Sequence, residues 1–272
     1  MKPRSLSAVG TWLIPVAAFV VFSGCNAATD TKSITFGATA GDFSDIVSQS
    51  LKPQLEAKGY RVQLVQFSDY VQPNIALAER RLDANIFQHK PYLDEFVAQK
   101  GLKLTPVAQV PTAPLGLYAG KRKTLAEATD GIRVAVPNDP TNLARALRIL
   151  ADLGWIALPE GADPFHISPK DITSNPKHVE IVQLEAAQLP RSAQDVDYAI
   201  INGNYVVTSG MKLSAALARE KGKEHVNWAV VRTEDVGKPF VADIVAALKS
   251  PSFKEYADRK FAGYNFPENW GE

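Results

Sequence analysis

A chain of 272 residues with 30 Lys and Arg against 29 Asp and Glu carries almost no net charge, and it holds one cysteine. Near-neutrality leaves no electrostatic footprint for nucleic acid, and the length suffices to bury a full core as one domain or two lobes. A single cysteine excludes an internal disulfide, and because it stands at position 25, ahead of the first expected strand, the domain beyond it holds no thiol for a metal site or a nucleophile.

The first segment reads as an export signal. Lys2 and Arg4 give a short positive region, an apolar run over 8–22 broken only by Pro15 follows, and Ser23 and Gly24 precede Cys25. The run is too short and too interrupted for a comfortable membrane span. Phe22-Ser23-Gly24-Cys25 resembles the lipobox of bacterial lipoproteins, apart from phenylalanine where leucine is usual. That resemblance implies removal of residues 1–24 and lipidation of Cys25 as the first mature residue. The alternative is an ordinary secretory signal cut near Ala27 or Ala28. Residues 25–32, polar and without pattern, read as a tether.

From Ser33 the rhythm alternates strand and helix. Residues 34–38 read as a strand, 43–58 as an amphipathic helix closed by Gly59, and 61–67 as a second strand, which together make a βαβ unit. A helix over 73–81, a strand over 83–87, a helix opened by Pro91 and a strand over 104–110 follow. Pro111-Thr112-Ala113-Pro114 marks a crossover into a second lobe. There 115–120 is extended, 124–128 a short helix and 132–136 a buried strand. Asp139 then serves as N-cap and Pro140 as first residue of a helix, whose Leu143, Ala146, Leu147 and Leu150 share the core face. Thr141, Arg145, Arg148 and Asp152 share the other face. Residues 154–178 are irregular, 179–184 and 198–201 are strands, and 186–194 is a short helix. The chain crosses back near 223–226, runs a strand over 226–232, and ends in helices over 238–249 and 252–260 that return to the first lobe. The expected organisation is therefore residues 33–112 with 226–272 as one lobe and 113–225 as the other.

Catalytic constellations are poor. The histidines at 89, 166, 178 and 225 have no zinc-ligand spacing, and no nucleophile elbow, dinucleotide fingerprint or phosphate loop is present. An enzyme, a resident metal or a cofactor is not expected. What recurs instead is a set of binding-type side chains where strands end: Tyr70, Phe87 and His89, Arg145 beyond a turn, and Asn202. In open α/β sheets ligands lie at the carboxyl ends of strands, and a helix N-terminus with Arg145 nearby suits a carboxylate. Each residue also has a plainer reading. The aromatic residues Tyr70, Phe87 and Tyr92 fit a core, His89 a turn bonded to backbone, Asn202-Gly203 a tight hairpin turn, and Arg145 a solvated face.

Three segments resolve these alternatives. DANIFQHKPYLDEF (83–96), VAVPNDPTNLARALRIL (134–150) and QLEAAQLPRSAQDVDYAIINGNY (183–205) resemble the methionine-binding lipoproteins of bacterial ABC importers, the NlpA/MetQ family. FSDYVQPNIAL (67–77) and HVNWAVVR (225–232) extend the similarity over essentially the whole mature chain, while 40–47 and 111–118 match least well. The resemblance implies an α/β, type II periplasmic-binding-protein fold, with two lobes joined by two crossovers and a ligand cleft between them. It implies that Arg145 holds a ligand carboxylate and that Asn142, in the same segment, is ligand-binding. Asn202 and Asn227 are implied to contact the ligand, with Tyr70, Phe87, His89 and Tyr92 as the aromatic side. It further implies L-methionine as ligand, an ABC permease and its ATPase as partners, and a lipid-anchored place in the cell envelope facing the periplasm. D-methionine, methionine sulfoxide, a methionine-containing dipeptide or another small amino acid stays open as the ligand, since a methylene or stereocentre is worth only about 1 to 3 kcal/mol in such pockets. A surface lipoprotein acting in adhesion and a hydrolase on the same scaffold are the readings from other classes.

Overall fold

The structure, a computed structural model, describes residues 32–268 and Trp270. The export signal, Cys25 and nearly all of the tether lie outside the described residues. Two five-stranded sheets carry the chain. The first begins with β1 (Ser33–Thr39), β2 (Arg61–Phe67), β3 (Ala84–His89) and β4 (Leu104–Val110). Between them lie helices α1 (Asp42–Asp45), α2 (Lys52–Glu56), α3 (Gln72–Ala78) and α4 (Lys90–Lys100). The second contains β5 (Gly116–Ala119), β6 (Arg133–Pro137), β7 (Glu180–Leu184), β8 (Tyr198–Ile201) and β9 (Ala218–Arg219), with helices α5 (Pro140–Asp152), α6 (Leu189–Ser192) and α7 (Gly203–Thr208). The chain then returns through β10 (Asn227–Arg232) and ends in α8 (Pro239–Leu248) and α9 (Pro251–Lys260).

Strand order is β2-β1-β3-β10-β4 in the first sheet and β7-β6-β8-β5-β9 in the second. The βαβ units pair in parallel, β1 with β2 and β3, and β6 with β7 and β8. A strand that has just crossed from the other lobe enters from the opposite end. Accordingly β10 runs antiparallel to both its neighbours, and β5 to both of its own. Strand β3 is buried along its whole length, as a central strand covered on both faces must be.

Period-two alternation sets the cores. Val134 and Val136 face Leu143, Leu147 and Tyr198 on one side of the second sheet. Ala135, between them, faces Leu189, Ile201 and Val206 on the other. In the first sheet, Phe36 and Ile86 pack with Val241, Ile244, Phe253 and Phe261 from α8, α9 and beyond. Leu77, Leu82, Leu93 and Val230 fill the opposite face. Proline sits in the first turn of α3, α4, α5, α8 and α9, where its missing N–H leaves no bond unmade.

Two segments depart from the sequence reading. The expected helix over 43–58 is interrupted by π-helical Ile46–Leu51. Pro53 has no N–H to give to Gln49 and its ring crowds that carbonyl, so the turn before it widens. Asn202 does not open a hairpin turn; it stands before α7, a helix that the run Tyr205-Val206-Val207-Thr208, aromatic and then β-branched, does not advertise. Gly203 is required there, because a Cβ would lie 2.3 Å from the Cβ of Ala113 in the first crossover. The region 154–178 is irregular as expected, with a short 3₁₀ turn at Pro169–Asp171.

Candidate functional site

Strand β6 delivers the chain to α5 through Pro137, Asn138 and Asp139. The Asp139 carboxylate caps α5 by accepting the Asn142 N–H at 3.0 Å, and it also accepts from the Asn142 Nδ2 at 3.0 and 2.9 Å. The free end of the helix is thus occupied by its own cap, and burial raises the Asp139 pKa above the usual carboxylate value. Capping fixes Asn142, and Asn142 fixes what lies one turn on. Its Oδ1 accepts from Arg145 Nη1 at 2.6 Å and stands 3.1 Å from His89 Nε2.

His89 caps α4 in the first lobe. Its Nδ1 accepts the Tyr92 N–H at 3.1 Å, which leaves the proton on Nε2 to donate to Asn142 across the cleft. Burial, with Arg145 adding to it, pushes the His89 pKa down to about 3, so the ring is neutral at pH 7. The plain reading of His89 as a backbone-bonded turn residue and the interlobe role are both present in one side chain.

Arg145 is 4% exposed, so it does not lie on a solvated face. Its fork was expected to be free for a ligand carboxylate, and here the structure differs. Nε and Nη2 both donate to Glu220, at 2.8 Å to Oε2 and 2.5 Å to Oε1. A guanidinium has five N–H bonds, so three are spent and one remains on each of Nη1 and Nη2. Glu220 gave no sequence signal, sitting in the charged run Arg219-Glu220-Lys221-Gly222-Lys223-Glu224 that reads as solvent-facing loop. His225 follows in the second crossover, edge-on to His89 with ring centres 5.0 Å apart. Burial and then Arg145 push its pKa far down, so it too is neutral.

The aromatic residues come from the first lobe. Tyr70 stacks on Phe87 at 5.9 Å, and Tyr92 meets both rings edge-on at 6.1 Å. Tyr92 Oη donates to the Tyr70 carbonyl at 2.9 Å. Burial raises both phenol pKa values, and they stay protonated.

All eight residues singled out from the sequence line one cavity between the sheets: Tyr70, Phe87, His89, Tyr92, Asn142, Arg145, Asn202 and Asn227. Phe43, Thr112, Ala113 and Asn204 line it as well. Asn202 Oδ1 and Asn204 Nδ2 are buried with no hydrogen-bond partner among the described residues. Both face the chemistry of a polar guest, since a buried amide left unpaired costs stability. The wall therefore combines a cation already paired with a carboxylate, free amide groups and three aromatic rings. Among the described residues no group of His, Cys, Asp and Glu could hold a metal ion, and no helix is long and apolar enough to cross a membrane.

Comparison with known proteins gives a consistent picture. The family model described as NlpA lipoprotein matches residues 34–269. The chain is 38% identical over 267 residues to the D-methionine-binding lipoprotein MetQ of Salmonella typhi, covering 96% of this chain and 97% of that one. Among solved structures it is similar to a nutrient binding protein from Burkholderia cenocepacia bound to methionine. That match has TM-score 0.81 and 38% identity, over 86% of this chain and 100% of the other. A periplasmic substrate-binding protein of an ABC transporter from Coxiella burnetii matches with TM-score 0.80 and 37% identity, over 86% and 100% of the two chains.

Proposed function

Because this chain belongs to the NlpA lipoprotein family, we propose that its interlobe cavity binds one free amino acid of methionine type, L-methionine first. The protein would then hand that ligand to an ABC permease driven by its ATPase. Cys25 carries the lipid that keeps the domain at the cell envelope, facing the periplasm. One observation carries the reading: a buried guanidinium with two N–H bonds unspent stands in the same cavity as an unpartnered amide oxygen and an aromatic wall. A carboxylate takes the free edge of Arg145, an ammonium takes the amide oxygens of Asn202 and Asn227, and a thioether lies against Tyr70, Phe87 and Tyr92.

The same residues favour binding over catalysis. His89 is the only imidazole lining the cavity, it is neutral, and both its nitrogens are committed to positioning bonds. Large exposed hydrophobic side chains among the described residues are Val65, Val71 and Val236, on three different elements, which gives an adhesive surface little to work with.

Mass spectrometry of protein purified without denaturation, followed by calorimetry on stripped protein, tests the reading. The expected result is one retained methionine and tighter binding of the L than the D enantiomer. No retained ligand and no heat with either enantiomer, the sulfoxide or a methionine dipeptide would overturn it.

A further inference from the structure

Glu220 is placed to decide the charge of what the cavity accepts. Its side chain is 8% exposed and both oxygens are engaged. Oε1 accepts from Arg145 Nη2 at 2.5 Å and from the Leu115 N–H at 2.9 Å, and Oε2 accepts from Arg145 Nε at 2.8 Å. Leu115 lies just after the first crossover and Glu220 just before the second, so one carboxylate ties the chain beside both crossovers to the arginine of α5. The remaining neighbour, His225 Nδ1, is 3.7 Å from Oε2 and is neutral.

A lone buried guanidinium attracts any carboxylate without regard to the rest of the molecule. Paired with Glu220, the local charge is zero. Among the described residues lining the cavity, Arg145 is the only Lys, Arg, Asp or Glu, and His89 is neutral. Asp139, behind Asn142 as the cap of α5, accepts only from Asn142 and Thr141, and its carboxylate likewise disfavours a second anion. Arg148 is paired with Glu224 and Lys221 with Asp152, all four well exposed and screened by solvent. A guest with equal and opposite charges leaves that balance intact. A guest with a carboxylate alone adds a second anion beside Glu220, with no cation to offset it in a site shielded from water.

We propose that Glu220 makes the cavity select a zwitterionic amino acid over the corresponding anion, by neutralising Arg145 along one edge while leaving its other edge for the ligand carboxylate. This rests on the amino-acid reading above and extends it. Glu220 is a positioning and selectivity residue that need not touch the ligand.

The test is calorimetric titration of the stripped, full-length mature protein with L-methionine and with its deaminated analogue, 4-methylthio-2-oxobutanoate. Wild-type protein should prefer methionine. Glu220→Gln keeps size and most hydrogen bonds but loses the charge, and it should narrow the preference by at least about tenfold, as expected for a like-charge contact removed from a shielded site. Glu220→Asp keeps the charge on a shorter stem. It should weaken both compounds while holding their ratio within about threefold of wild type, since the charge term is retained. Should Glu220→Gln not fold, Glu220→Ala is expected to narrow the ratio in the same direction. An unchanged ratio in a folded neutral variant, or equal narrowing by Glu220→Asp, would overturn this inference alone. Wild-type protein that binds neither compound would overturn it together with the amino-acid reading.

Discussion

Tyr70 Oη donates to Asn204 Oδ1 at 2.6 Å, and the bond joins the first lobe to the second beside the cavity. Its counterpart runs the other way, from Tyr205 Oη to the Ser68 carbonyl at 2.9 Å, and the two rings lie 5.2 Å apart. Together they latch the lobes beside the cavity. Tyr205 does not line the cavity, so Tyr205→Phe removes half the latch without touching a guest. Losing one hydrogen bond is worth about 1 kcal/mol, or roughly a fivefold drop in methionine affinity expressed mainly in faster release. Stopped-flow and small-angle scattering with and without ligand check this. Unchanged release, with identical scattering profiles for wild type and variant, would show that the latch does not hold the lobes.

Arg145→Ala removes the cation for the ligand carboxylate and also strands Glu220 as an unpaired buried charge. The expected loss of methionine affinity is about 3 to 5 kcal/mol, with lowered melting temperature as a second consequence of the same broken pair. Arg148→Ala is the control. Its partner Glu224 and itself are both more than one-third exposed, so binding should be nearly unchanged and stability altered by less than about 0.5 kcal/mol. Equal affinity losses at the two positions would mean that Arg145 acts only through general electrostatics.

Asp42 opens α1 and is buried, with Tyr264 Oη donating to its Oδ2 at 2.7 Å. Burial raises its pKa to about 6, against a lowering by that hydrogen bond, a further raising by Asp45 and a lowering by Lys260. A carboxyl whose folded pKa is raised favours the folded state while protonated. Its contribution is complete below about pH 4 and is lost as pH rises through about 6, and the loss at neutral pH is at most about 3 kcal/mol. Asp42→Asn keeps an acceptor for Tyr264 and should melt higher than wild type at pH 7, with a flatter pH profile between 4 and 6. Melting curves across that range decide it; a lower melting point at pH 7 would assign Asp42 a stabilising charge.

Cys25 is tested in cells. Burial of acyl chains contributes roughly 0.8 kcal/mol per methylene, so two or more chains hold the domain on a membrane. Cys25→Ala should move the protein to the soluble fraction or stall its processing. Normal cleavage with full membrane retention would remove Cys25 as the anchor.

Much of this was written locally in the chain. Asp139-Pro140 announces a helix start, the Val134-Ala135-Val136 alternation announces a strand covered on both faces, and the residues at strand ends do gather at one cavity. Glu220 was invisible because its significance is a contact with a residue far away in sequence, while its neighbours in the run 219–224 are five charged or small residues of ordinary loop character. Asn204 was hidden for a related reason. Helix α7 forms against Ala113 and the second sheet, and local propensity there argues against a helix. Pairings across the cleft are tertiary facts that no local pattern encodes.

The place of β10 between β3 and β4 also dictates an order of assembly. The second sheet draws all its strands from one continuous stretch, Gly116 to Arg219, and can close as soon as that stretch is available. The first cannot, because until Asn227–Arg232 arrives β4 has no partner in the sheet and the edge of β3 is bare. For a chain made from its N-terminus, the earlier-made half must wait, with its apolar faces uncovered, for the later-made half to finish, and a chain cut short before β10 leaves its oldest part the least able to fold.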